Sequence, residues 1–388
     1  MTQTVTLNGN VYTDGDTDGG VGYRNIGGQG NRVNFFPLMN DVVTVAGQVQ
    51  AWSTQAQAAA NTIGINGASL FNRNKILNGD FQVWQRGTTF TDPTGPGNMY
   101  CADRWAAFRS AWTAGITVTQ QSTQTNSKSI RVQRNSGNAS TADMKLSQSF
   151  ETIEVKKLAG KTVTLQFDVF KGADFSAASS ILQVQVVWGT GADGNLGTGF
   201  TNTNGATVNQ VITSTNTQYA LTTTIPANAT QLAVSFNYTP VGAAGAADYF
   251  EITDVQLEEG SIATPFERRP YGFELALCQR YFVRLVDKTG NHSIGNGVAI
   301  SATGMQLQRF LGVEMRIAPA LTLSGAANFI CINSTGGTAG AATAITLGLT
   351  KSNVVRFDVS VASGLVAGNA ASCQSQNTSA TLDLNAEL

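Results

Sequence analysis

Charge is scarce in this chain. Of 388 residues, 24 are Lys or Arg and 25 are Asp or Glu, 13% together, about half the usual globular share of ~25%. No basic cluster is present to neutralise phosphates, so nucleic acid is not an expected partner. The surface must instead be covered by Thr, Ser, Asn, Gln and Gly. A net charge of -1 with 42% hydrophobic residues argues against charge-driven disorder. Long apolar runs are missing as well. No stretch approaches the ~20 apolar residues of a membrane span, so no insertion is expected. The start "MTQTVTLNGN" has neither a basic region nor an apolar stretch, so no secretory signal is expected.

Histidine is nearly absent. His292, in the turn-like "KTGNHSIGNG", is the only one, and a Ser/His/Asp triad would have to use it without any G-x-S-x-G elbow. Glu258 and Glu259 are neighbours on a strand and point apart, unlike the convergent acids of glycoside hydrolysis. No repeating β-helix coils occur. The chain is therefore expected to be non-enzymatic and to need no cofactor. The four cysteines, Cys101, Cys278, Cys331 and Cys373, lie far apart without metal-ligand spacing. They fit buried free thiols of a protein made in a reducing cytoplasm.

What is present divides the chain into four parts. Residues 1–40 include "NVYTDGDTDGGVGYRNIGGQGNRVNFFPLMN", which is too rich in Gly, Asn and Asp to bury a core and is expected to be extended. Yet it carries Tyr23, Phe35, Phe36, Leu38 and Met39. Residues 41–74 open with Val42, Val45, Val49, Trp52, Ala56, Ala59 and Ile63, spaced alternately three and four apart. That is an a/d heptad seam. No charge occurs between Asp41 and Arg73, and Gly47 lies inside the segment, so such a helix needs partners. β-branched residues at both seam positions favour three strands, giving an expected trimeric coiled-coil stalk.

From Lys75 the pattern turns to β. "ITVTQQ", "SIRVQR", "MKLSQSF", "KTVTLQFDVF", "ILQVQVVW", "YALTTTI", "LAVSFNY" and "YFEITDVQLE" alternate between Gly, Asn and Ser turns. So many strands with almost no helix point to a two-sheet jelly roll over 75–270. "EEGSIATPFERRPYGFELALCQRYF" (258–282) joins it to a second β-rich part. Residues 271–388 carry "GVAISAT", "MQLQRFLGVEMR", "NFICINS", "VVRFDVSV" and "ATLDLNAEL", and are expected to form a sandwich-like domain.

Several of these segments are familiar in order. "NKILNGDFQVWQRG", "CADRW", "LSQSFETIEVKKLAGKTVTLQFDVF", "QYALTTTIPANATQLAVSFNY" and "YFEITDVQLEEG" resemble jelly-roll modules of the carbohydrate-binding kind. The N-terminal segment, the Ala/Gln coil, this module and "VEMRIAPALTLSG" together resemble tailed-bacteriophage virion proteins, the tail fibres, head fibres and minor structural proteins. That resemblance implies a homotrimer made in the host bacterial cytoplasm and carried on the virion. It implies that "NRVNFFPLMNDVV" docks on a portal, adaptor, tail or capsid protein, with Tyr23, Phe35, Phe36, Leu38 and Met39 as anchors ordering on binding. "ELALCQRYF" would link the two distal domains. The implied role is attachment to host surface polysaccharide, with decoration of the capsid or tail as the alternative.

Sugar rings stack on aromatic faces while amide edges take the hydroxyls. Among Trp84, Tyr100, Trp105, Trp112 and Trp188, the first and third match core positions of the module. Tyr100 and Trp188 fall at strand ends, where a ligand can reach them. Modules of this type often carry a structural calcium between first and last strands, and Asp80 with Glu251 or Asp254 would supply oxygen ligands.

Overall fold

A computed structural model describes residues 4–7, 9–13, 23–25, 31–62, 72–91, 97–109, 115–122, 128–288, 290–333 and 335–388. Residues 1–70 and 71–388 form two separate units.

In the first unit, β1 (Thr4–Leu7), β2 (Asn10–Thr13) and β3 (Tyr23–Asn25) make a three-stranded sheet. A 32-residue helix, α1, runs from Asn31 to Thr62. Both features correct the expectation of an extended segment over 1–40 and a helix beginning at Asp41. The helix passes through Pro37, which has no N–H to give the carbonyl of Val33. In the sequence the three/four apolar spacing runs back through Leu38 and Phe35, but a proline among them reads as a helix stop. On the seam, Val42, Val49 and Trp52 are 42%, 54% and 64% exposed, and Met39 is 45% exposed. Ile63 lies outside the described residues, as do the side chains of Tyr23, Phe35, Phe36, Leu38, Ala56 and Ala59.

The second unit begins with a two-sheet sandwich. Its strands are β4 (Thr89–Thr91), β5 (Gly97–Tyr100), β6 (Ala106–Arg109), β7 (Ile116–Ser122), β8 (Lys128–Arg134) and β9 (Met144–Ser149). After helix α2 (Thr152–Leu158) come β10 (Thr162–Lys171), β11 (Ile181–Gly189), β12 (Asn204–Val211), β13 (Thr217–Thr224), β14 (Gln231–Tyr238) and β15 (Tyr249–Glu259). One sheet has the order β13-β10-β15-β8-β7-β4, the other β12-β11-β14-β9-β6-β5. All pairs are antiparallel, so inward apolar and outward polar residues alternate along each strand. The inward set fills the core around Trp105, whose ring lies 5.1 Å from Phe81 and 6.3 Å from Phe236. The jelly-roll expectation for this part holds as a mainly β sandwich.

The "NGDF" stretch clips the start of this sandwich to its last strand. A Cβ on Gly79 would stand 2.1 Å from the carbonyl oxygen of Val255, so only glycine permits this approach. Val255 N–H donates back to Gly79 O at 2.9 Å. Asn78 uses its whole amide: Nδ2 donates to Val83 O and Asp103 O, and Oδ1 accepts from Val83 N–H. The "ERRPYGFEL" junction folds against the same stretch. Arg269 donates to Ile76 O, Asn74 O and the Glu274 carboxylate, and Glu274 accepts from Asn78 N–H. The linker is thus a buried brace, with Arg269 and Glu274 7% and 5% exposed.

Helix α3 (Tyr271–Gln279) leads into the last part. There β16 (Phe282–Asp287), β17 (Ser293–Ala299), β18 (Gly304–Phe310), β19 (Ala320–Leu323), β20 (Phe329–Asn333), β21 (Thr338–Thr350), β22 (Val354–Val361), β23 (Ala370–Ser375) and β24 (Thr381–Asn385) follow. Six of them close into a barrel, β17-β18-β22-β21-β20-β23, beside a sheet of order β16-β24-β19. This corrects the expected sandwich-like domain. Alternation of period two is the same in an open sheet and a closed one, and closure depends on β23 pairing with both β17 and β20. Phe329, Phe357, Leu307, Met305 and Val359 fill the core here.

Candidate functional site

The inward positions of β11, β14 and β9 are apolar: Leu182, Val184 and Val186; Leu232, Val234 and Phe236; Met144 and Leu146. The residues between them must therefore face outward. Register lines these outward residues into rows across the sheet. One row is Thr207, Gln185, Ser235, Ser147, Ala106 and Tyr100. The next is Asn209, Gln183, Asn237 and Lys145, and its register continues to Phe108 on β6. A third is Gly205, Val187, Ala233 and Ser149.

The first two rows are polar and cross-linked. Asn237 Nδ2 donates to Gln185 Oε1 at 2.6 Å and Gln183 Oε1 at 3.0 Å. Ser235 Oγ donates to Asn237 Oδ1 at 2.7 Å. Gln185 Nε2 donates to Thr207 Oγ1 at 3.0 Å, and Gln183 Nε2 to Asn209 Oδ1 at 3.3 Å. Ser147, Ser235 and Asn237 are buried on the middle strands, while Thr207 and Asn209 are exposed at the sheet edge. Ser147 Oγ, directly opposite Ser235, is buried and has no hydrogen-bond partner. A buried hydroxyl is normally satisfied, so this one is an exception.

Chemically, the face offers neutral donors and acceptors in fixed positions, with one cation at its end. Lys145 is paired at 3.7 Å with Asp143. Amides and hydroxyls that each donate and accept suit a neutral polyol better than an anion. The loop "GTGADGNLGTGF" is pinned at the end of this sheet by Gln231, which donates to Ala192 O and Gly199 O and accepts from Gly191 and Thr201 N–H.

The structure separates the two aromatic candidates. Tyr100 lies at the far end of the Ser147 row. Its hydroxyl is already engaged, donating to Leu388 O and accepting from Asn195 Nδ2, each at 2.9 Å. Burial, reinforced by Glu387, pushes its phenol up to about 12. Trp188 pairs with Leu232 and packs on the core side of the sheet, away from the polar rows. Trp84 and Trp105 are packing residues, Trp105 fully buried. Trp112 lies outside the described residues.

The three oxygen-ligand candidates do not share one site. Glu251 accepts from Ser129 Oγ and from Arg131 Nε and Nη2. Asp254 is salt-bridged to Arg268 at 2.6 Å, and Asp80 accepts from Gln82. Among the described residues no three His, Cys, Asp or Glu side chains come together as a metal cluster. Burial, only partly offset by Arg268, raises the Asp254 carboxyl above its usual range, and Asp80 and Asp168 add to this.

A cavity of about 280 Å³ lies between residues 72–77, α2 and the end of α3, with Lys75, Phe150, Lys157, Arg280 and Tyr281 on its wall. Its charges answer one another. Lys157 pairs with Glu154, Arg280 and the Tyr281 hydroxyl bind Glu151, and Lys75 donates to Asn72 O. Burial pulls the Lys75 ammonium below its usual value. His292, the lone histidine, gives its backbone N–H to Ser375 Oγ and has Asp287 3.8 Å from Nδ1.

Sequence reasoning missed Ser147, Gln183, Gln185, Ser235 and Asn237. Their signal was polar residues at the outward positions of central strands, in "QVQVVW" and "SFNY". Only the register brings them into adjacent rows.

No family model matches the chain, and no curated protein does. Among solved structures it overlaps the enzymatically active domain of tailspike protein 4 of bacteriophage CBA120, with 15% identity and a TM-score of 0.31 over 48% of this chain and 22% of that one. It overlaps a CBM4 structure with 16% identity and a TM-score of 0.28, over 48% of this chain and 100% of that one. It also overlaps the CBM22-1 xylan-binding domain of Paenibacillus barcinonensis Xyn10C, with 12% identity and a TM-score of 0.28 over 45% of this chain and 100% of that one.

Proposed function

We propose that the chain is a non-catalytic, carbohydrate-binding fibre protein of a virus particle. The sandwich takes a neutral glycan on the polar face of β11, β14 and β9. The observation that carries this reading is the pair of cross-linked amide and hydroxyl rows that run out to the exposed Thr207 and Asn209 at the sheet edge. Sugar hydroxyls both donate and accept, and neutral amides held by one another present both functions at low entropic cost. Affinity per site is low without a described aromatic platform, so the protein works by several heads acting together. The seam of α1 supplies the means: Val42, Val49 and Trp52 are exposed in a helix that has no charge after Asp41, and three copies would bury them.

The test is a glycan array with the full chain, followed by titration of any hit. Asn237→Ala removes the hub of both rows and is expected to weaken binding at least tenfold, ~1.4 kcal/mol, with the fold intact by circular dichroism. An array blank for neutral glycans, or a hit bound equally by the variant, overturns the reading. The blank array would leave decoration of the particle as the function.

A further inference from the structure

We propose that Cys331 and Cys373 are an oxidation site, and that a peroxide joins them by a disulfide that ties β20 to β23 inside the barrel. The two residues are direct cross-strand partners, between the rungs Ile330–Gln374 and Ile332–Ser372. Gln376 N–H donates to Asn328 O at 2.9 Å, which makes that rung a hydrogen-bonded one. Antiparallel rungs alternate, so Phe329–Ser375 is non-bonded, Ile330–Gln374 bonded, and Cys331–Cys373 non-bonded. Non-bonded rungs bring the Cα atoms to ~4.5 Å with side chains at their closest, which lies within the ~4.4–6.8 Å span of disulfides. That is the rung type whose geometry suits a cross-strand disulfide.

The two side chains face one another across the rung, and each is the chief influence on the other's titration. Both are fully buried in the barrel core. The contact from Cys373, working against burial, lowers the Cys331 thiol and marks it as the attacking sulfur. The Cys331 thiolate attacks one peroxide oxygen and the O–O bond breaks. This forms a sulfenic acid and releases hydroxide, which takes up the thiol's proton as water. Cys373 sulfur then attacks the sulfenic sulfur, the S–S bond forms, and the hydroxyl leaves with the second thiol's proton as another water. Two thiols lose two electrons to one peroxide. Cys101 and Cys278 have no cysteine opposite them: Cys101 Sγ contacts Trp105 O at 3.4 Å, and Cys278 is held in α3.

The experiment treats the native full chain with hydrogen peroxide, quenches it, unfolds it in guanidinium and counts thiols. The count is expected to fall from four to two, with a mass loss of two hydrogens, a peptide joining residues 331 and 373, and a Tm rise of roughly 5 °C reversed by a thiol reductant. Cys331→Ser should keep its three thiols, Cys373→Ser should stop at a sulfenic acid on Cys331, and neither should form the link or show the Tm rise. Cys101→Ser should lose two and keep the rise. Four thiols remaining in the native chain, a sulfinic acid at Cys331 in place of the link, or a link between other cysteines overturns the proposal. If a serine variant fails to fold, the peptide map of the unaltered chain decides it.

Discussion

Asp103 shows how a single side chain sets a pH dependence. Its carboxylate is 1% exposed, accepts from Gln85 N–H and Nε2, and has the Arg86 guanidinium 3.8 Å away. Burial pushes its pKa from the ordinary 3.8 up to about 6, and Arg86 and Gln85 only partly reverse this. The folded chain therefore binds the proton before the unfolded one does. Stability must rise as pH falls from above 6 towards 4, by an amount on the order of 2 kcal/mol. Glu151 acts in the other direction. Burial raises it, but Arg280 and Tyr281 outweigh burial and hold it below the usual range, so its contribution is lost as pH falls below about 4.5. Tm measured at pH 6.5, 5.5 and 4.5 should climb in the natural chain and climb less in Asp103→Asn, where raised carboxyls such as Asp254 remain. An equal climb in the variant would show that other groups carry the effect.

At the scale of elements, alternation and helical period were readable and pairing was not. The strands of the sandwich stand where "KTVTLQFDVF", "ILQVQVVW" and "LAVSFNY" alternate, because one face of each is apolar. The rows through Ser147, Ser235 and Asn237 were invisible, since a one-residue slip in β9 or β14 would dissolve them without altering either strand's own pattern. Aromatic residues drew attention to Trp188, but its parity on β11 puts it on the core side. Tyr100 was found near the face and is engaged by the barrel. Barrel closure was equally hidden, as it rests on β23 having two partners. The helix raises its own test. α1 has no charge after Asp41 and leaves Trp52 64% exposed, a surface that costs roughly 25 cal/mol for each Å² kept in water. Val45→Asp with Val49→Asp should turn a trimer into monomer in analytical ultracentrifugation. A trimer that survives both charges would move the contact to the β-domains.

At the scale of the second unit, sandwich and barrel are joined by a polar seam rather than a flexible linker. Glu387 takes salt bridges from Arg86 at 3.1 Å and from Arg104, with Arg104 and Glu387 side chains each 3% exposed. Arg104 also donates to Ser149 O on the sandwich and lies 3.6 Å over the Tyr281 ring. Gln85 Nε2 reaches Phe282 O, and Arg316 links Asp193 to Ala386 O and Glu387 O. A buried guanidinium without its carboxylate costs far more than the intact pair contributes, about 3–5 kcal/mol. Glu387→Ala leaves Arg104 in that state, and the cost falls on the docked arrangement because undocking re-solvates the arginine. Scanning calorimetry should therefore give one transition for the natural chain and two for the variant, sandwich and barrel melting apart. Two well-separated transitions in the natural chain would show that the seam does not couple them. If they do melt as one, the barrel holds the Tyr100 end of the glycan face in place, since the hydroxyl at the end of the Ser147 row is bonded to Leu388 O. The variant should then lose glycan affinity without any change on the face itself.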